Sequence, residues 1–121
     1  MSDTDDPPRP TIGVDVRQRS ICVRMQGDLD VASAPRLDRV LSDVLASAAL
    51  DPGGPDVPGR RMTIDLEAVG LVTAAGMTVL LRAHDAAERS GIECLVCVAP
   101  RARRALSLTG LDRVLLGAQD R

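Results

Sequence analysis

Phenylalanine, tyrosine and tryptophan are absent from the 121 residues of this chain. Without them no base-stacking platform for single-stranded nucleic acid can form, and an aromatic-lined ligand pocket is excluded. Lysine is absent too, so all 15 basic residues are arginine, and the net charge of −2 with a pI near 5.3 argues against a general nucleic-acid binder. No run approaches the roughly 20 apolar residues of a membrane span. The first ten residues, MSDTDDPPRP, are acidic and proline-rich and do not read as a signal peptide. Three scattered cysteines are too few and too odd in number for a disulfide framework, and they suit a reducing cytoplasm.

What remains is aliphatic. Hydrophobic residues make up 45% of the chain, enough for one compact domain with a modest core of Val, Leu, Ile, Met and Ala. Residues 1–10 read as a disordered tail. Ile12, Val14 and Val16 alternate with polar neighbours, RQRS turns the chain, and Ile21, Val23 and Met25 alternate again, which predicts a hairpin ending at Gly27. A helix follows, with Ser33 as N-cap, Pro35 in the first turn, and Leu37, Val40, Leu41, Val44 and Leu45 on one face. Residues 48–60, centred on DPGGPDVPG, read as a flexible loop.

Met62, Ile64 and Leu66 predict a third strand and LVTAAGM the turn out of it. The next helix should bury Met77, Leu80, Leu81 and Ala87 and stop at Gly91. ECLVCV, apolar on both faces, predicts an interior strand. Pro100 opens a third helix that Gly110 closes, and Val114–Leu116 adds a short last strand. Strands alternating with helices require crossovers. The expected fold is a single α/β domain: a mixed, mostly parallel sheet of about five strands with helices packed on it.

The chemistry-bearing residues are few. Cys94 and Cys97 have a CxxC spacing, but three residues along a strand puts them on opposite faces about 10 Å apart, beyond disulfide reach, and no second pair exists for zinc. His84, the one histidine, falls at the edge of a buried helix face and reads as a satisfied boundary residue. No serine has the context of a nucleophile elbow, so an enzyme is not expected, nor a metal or cofactor. Arg101, Arg103, Arg104 and Arg113 read as a solvated face that also suits an acidic partner. Asp28 and Asp30 read either as turn acids capping nearby N–H groups or as a site for a cation or an arginine.

Three segments, in order, resemble one family. GDLD at 27–30 is similar to the Gly-x-Leu-Asp signature of STAS domains, the fold shared by bacterial anti-sigma factor antagonists and sulphate transporter tails. IDLEAVGLVTAAGMTVLLRAH at 64–84 resembles the segment carrying that family's Asp-Ser-Ser-Gly or Asp-Ser-Ala-Gly turn. RARRALSLTGLDRVL at 101–115 is similar to its closing helix and strand. The resemblance implies a STAS-like domain over residues 11–121 that binds an anti-sigma factor of the serine-kinase type, or a degenerate relative. It places the contact at Asp28, Asp30, Thr73, Ala74, Ala75, Gly76 and Met77. In the family, the serine after the motif aspartate is phosphorylated and its phosphate breaks the complex. Here Thr73 stands at the aspartate position and Ala74 at the acceptor position, so the switch residue has no hydroxyl. Thr73 is a possible substitute acceptor, although as helix N-cap its oxygen is expected to accept a backbone N–H. A second expectation from the resemblance is a STAS subunit docking on the ATPase of a lipid-transporting ABC system.

Overall fold

The structure is a computed structural model that describes residues 10–17, 19–49, 60–100 and 103–104. The elements run β1 (Thr11–Val16), β2 (Ser20–Leu29), α1 (Ala34–Ala49), β3 (Arg61–Val72), α2 (Ala74–Arg89) and β4 (Glu93–Val98). Strand order in the sheet is β1-β2-β3-β4. β1 pairs with β2 antiparallel, whereas β2–β3 and β3–β4 are parallel. The expected mixed, mostly parallel sheet is therefore present. Pro100, Arg103 and Arg104 are helical, with the Arg103 N–H donating to Ala99 O at 3.0 Å. The rest of the predicted third helix, the strand Val114–Leu116, residues 1–9 of the tail and residues 50–59 of the loop lie outside the described residues.

One face of the sheet carries the core. Val23, Met25, Met62, Ile64, Leu66 and Val96 are buried beneath Leu37 and Leu41 of α1 and Leu80 of α2. Both helices thus cover the same side, and α1 presents the apolar stripe that its sequence spacing predicted. Within α2 the buried set is Gly76, Val79, Leu80, Ala83 and Ala87, with Met77 and Leu81 only partly buried. The helix is rotated slightly from the expected face, which lets small residues meet the sheet.

Both central strands outrun their predicted ends. β3 was expected to finish near Leu66, because the inward period of two fails at Glu67 and Ala68. In the register, Arg24↔Asp65 is followed by Gln26↔Ala68, and Gly27↔Val69 by Leu29↔Val72. Each step adds one extra residue to β3, and each bulge re-aims the strand. Val69 returns to the core at 1% exposure and pairing continues to Val72. In β2, Gly27 adopts φ 99 inside the strand, and a Cβ there would stand 3.0 Å from Pro10 Cα. That left-handed, crowded position suits glycine. α2 ends in a Schellman arrangement. The Ile92 N–H donates to Ala87 O at 2.8 Å and the Gly91 N–H to Glu88 O at 3.1 Å, with Gly91 at φ 73.

The last turn of α1 is held by a buried arginine. Arg60 is 5% exposed and its Nη1 donates to Ala48 O at 2.8 Å. Arg60→Ala strips a partner from a terminal carbonyl in a buried setting. It is expected to cost about 1–3 kcal/mol in urea denaturation, with Arg60→Lys recovering part of the loss.

Candidate functional site

β2 and β3 both deliver their chains to one end of the sheet, where the β2–α1 loop and the β3–α2 turn meet. The loop is built on its own acids. Asp30 Oδ1 accepts from the N–H groups of Ala32 at 3.0 Å and Ser33 at 3.1 Å. Ser33 Oγ accepts from the Asp30 N–H at 3.0 Å and donates to Asp28 O at 2.7 Å. Ser33 does occupy the position before α1, but its hydroxyl locks the loop instead of capping the helix amides. Asp30 has the capping role weighed for it. Asp28 stays exposed, its Oδ1 over the backbone of Gly70.

The turn rests on Leu29, which lies between Asp28 and Asp30. Leu29 O accepts from the Thr73 N–H at 2.9 Å and from Thr73 Oγ1 at 3.3 Å. Thr73 thus sits at the N-cap position but makes no side-chain capping bond, contrary to the expectation. Its hydroxyl points back at the carbonyl of β2. The amides of Ala74, Ala75 and Gly76 have no acceptor one turn earlier in the helix, so this end of α2 presents donors. Gly76 is where the helix touches the strand, since a Cβ there would lie 2.5 Å from Leu29 Cγ and 3.1 Å from Leu29 O.

Two apolar side chains that sequence reading passed over are exposed at this end: Val31 at 77% and Leu71 at 51%. Val31 lies two residues past Leu29 in the loop, and Leu71 adjoins Val72, the register partner of Leu29. Their signal in the sequence is weak, because a lone Val or Leu beside a strand end is unremarkable. Ala74 is exposed, Ala75 and Met77 are half-buried, and Gly76 is buried. The expected contact residues are therefore brought to one place, with Asp30 and Gly76 engaged in building it and Asp28 and Ala74 open to solvent.

The remaining candidates lie elsewhere. Cys94 faces the helices and Cys97 the opposite side of the sheet, and none of the three cysteines is in a disulfide. Burial pushes the Cys94 thiol from 9.0 up to about 12. Cys97 is raised by burial and then by Asp65 and Glu67. In native thiol titration at pH 8, Cys97 is expected to react slowly and Cys94 only on unfolding. The folded state keeps the Cys94 proton to a higher pH than the unfolded chain does. Stability from this site is full below about 9.0 and falls as pH rises toward about 12; Cys94→Ala should remove that alkaline loss. On the open face, Arg24 Nε donates to Asp65 Oδ2 at 3.2 Å, a contact that raises the guanidinium pKa.

His84 lies at the boundary of α2 as expected, yet its Nδ1 is buried without a hydrogen-bond partner, 3.9 Å from Asp85 Oδ1. His84, Asp85 and Glu88 hold one donor atom each within 4.8 Å of one another, the two carboxylates in solvent. Among the described residues this is the set that could hold a metal ion. No helix among them is long and apolar enough to cross a membrane.

Comparison with known proteins agrees with this architecture. The family model described as the STAS domain matches residues 11–120. An anti-sigma factor antagonist from Mycobacterium paratuberculosis is 25% identical, with a TM-score of 0.68 over 88% of this chain and 83% of that one. A Thermotoga maritima protein proposed as an anti-sigma factor antagonist is 16% identical, with a TM-score of 0.71 over 87% of this chain and 83% of that one. The anti-sigma factor antagonist SpoIIAA in its unphosphorylated form is 15% identical, with a TM-score of 0.66 over 88% of this chain and 86% of that one. At 16% and 15%, the last two speak for the fold alone.

Proposed function

The chain belongs to the STAS domain family, and on that premise we propose that it is a non-enzymatic protein–protein interaction module of the anti-sigma factor antagonist kind. It docks on a serine-kinase-type anti-sigma factor, or a degenerate relative, and so regulates sigma-factor-dependent transcription in the bacterial cytoplasm. The contact surface is the Asp28–Asp30 loop, the 72–77 turn and the start of α2. The observation that carries this reading is an α2 N-terminus with uncapped amides, small side chains and two exposed apolar neighbours, Val31 and Leu71. Such an end offers donors to a partner's carbonyl or carboxylate and apolar area to its side chains.

Control by phosphate is missing at the usual place. Ala74, aligned with the acceptor serine, has no hydroxyl, and Thr73 directs its own toward Leu29 O. Binding is then set by abundance or competition. Incubation with the captured anti-sigma kinase and ATP, followed by intact-mass measurement, should show a stable complex and an unmodified chain. Stoichiometric phosphate on Thr73 would overturn the switch-free reading. Capture of a lipid-transporter ATPase in place of an anti-sigma protein would replace the assignment.

A further inference from the structure

We propose that the chain forms a two-fold symmetric homodimer by antiparallel pairing of the outer edges of two β1 strands. Among the described residues β1 pairs with β2 alone, and no described strand takes its other edge, whose N–H and C=O groups suit pairing with a further strand. Its apolar row is also unfinished. Ile12, Val14 and Val16 stand opposite Met25, Val23 and Ile21 and so point to the helix side. Their β2 partners are buried, yet Val14 is 46% and Val16 63% exposed. α1 leaves a groove of about 290 Å³ beside them, with Val44 and Ala48 on its far wall.

The pleat restricts the register. Residues opposed across an antiparallel pair share a face, so apolar meets apolar only when the two-fold axis passes a residue and not a gap between residues. An axis at Val14 sets Val14 against Val14 of the second copy and Ile12 against Val16, twice. Charge agrees with that choice. Arg36 sits at the start of β1, its Nη1 donating to Pro10 O at 2.7 Å, and Asp43 lines the groove at the Val16 end. The axis brings each Arg36 toward the Asp43 of the second copy. Arg17 and Arg19 share that end, and Arg17 is paired with Asp15 at 3.4 Å. The surface lies along a sheet edge, apart from the α2 turn, so this inference does not rest on the proposed partner.

Sedimentation or light scattering of the full chain across a concentration series tests it. The expected mass moves from 12.8 kDa toward twice that value. Val14→Lys, at a position already half in solvent, should keep the circular dichroism spectrum and raise the dimer dissociation constant by at least about 30-fold. Asp43→Arg should weaken the dimer, and adding Arg36→Asp should restore it. In a Cys22→Ser background, Val14→Cys should cross-link to itself on mild oxidation. A chain that stays monomeric at high concentration, or a dimer indifferent to Val14→Lys and to the charge exchange, overturns the proposal.

Discussion

Gly76→Ala is expected to destabilise the fold by about 1–3 kcal/mol, although alanine is ordinarily the better helix residue by about 1 kcal/mol. The added Cβ would stand 2.5 Å from Leu29 Cγ, 2.9 Å from Leu29 Cδ2 and 3.1 Å from Leu29 O. Leu29 is fully buried, so its side chain cannot swing away, and the carbonyl is tied to the Thr73 amide. Relief requires moving α2 off β2, which also disturbs the candidate contact surface. Urea denaturation reads the loss directly. In a Leu29→Ala background, itself costing about 2–5 kcal/mol, the same change should become neutral or favourable. An unchanged denaturation midpoint for the single variant would show that the helix does not bear on Leu29 this closely.

Ala74→Glu should separate binding from stability. Ala74 is exposed and is the first residue of α2, where a carboxylate gains about 0.3–1 kcal/mol from the helix dipole. Thermal stability is therefore expected to hold or rise slightly. Against the captured anti-sigma protein, the buried charge should cost about 2–4 kcal/mol, roughly 30- to 1000-fold in affinity. Ala74→Gln, of similar size without the charge, should lose much less. Ala74→Ser should restore phosphorylation at that residue, visible as added mass with the kinase and ATP. Full affinity in the glutamate variant would move the contact surface away from this turn.

Much of this architecture was legible from residue order. The hairpin, the apolar stripe of α1, the Gly91 stop of α2 and the extent of ECLVCV all follow from local periodicity and local backbone preference, which the chain expresses without reference to distant partners. The full length of β3 was not legible. A bulge is decided by pairing with a neighbouring strand, and locally it looks like the end of an inward pattern. Val31 and Leu71 were missed for a related reason, since exposure depends on what else comes to lie over a side chain.

The sequence by itself determined the aliphatic, aromatic-free core, the mixed α/β order and a side chain without a hydroxyl at residue 74. These are matters of composition and spacing. Only the tertiary structure decided where two hydroxyls and one carbonyl are spent. Ser33 turns into its loop, Thr73 turns to Leu29 O, and Leu29, distant from the turn in sequence, becomes the support on which Gly76 rests. The physical reason is that a hydrogen-bond donor takes the acceptor that folding places beside it, and here that acceptor came from another strand.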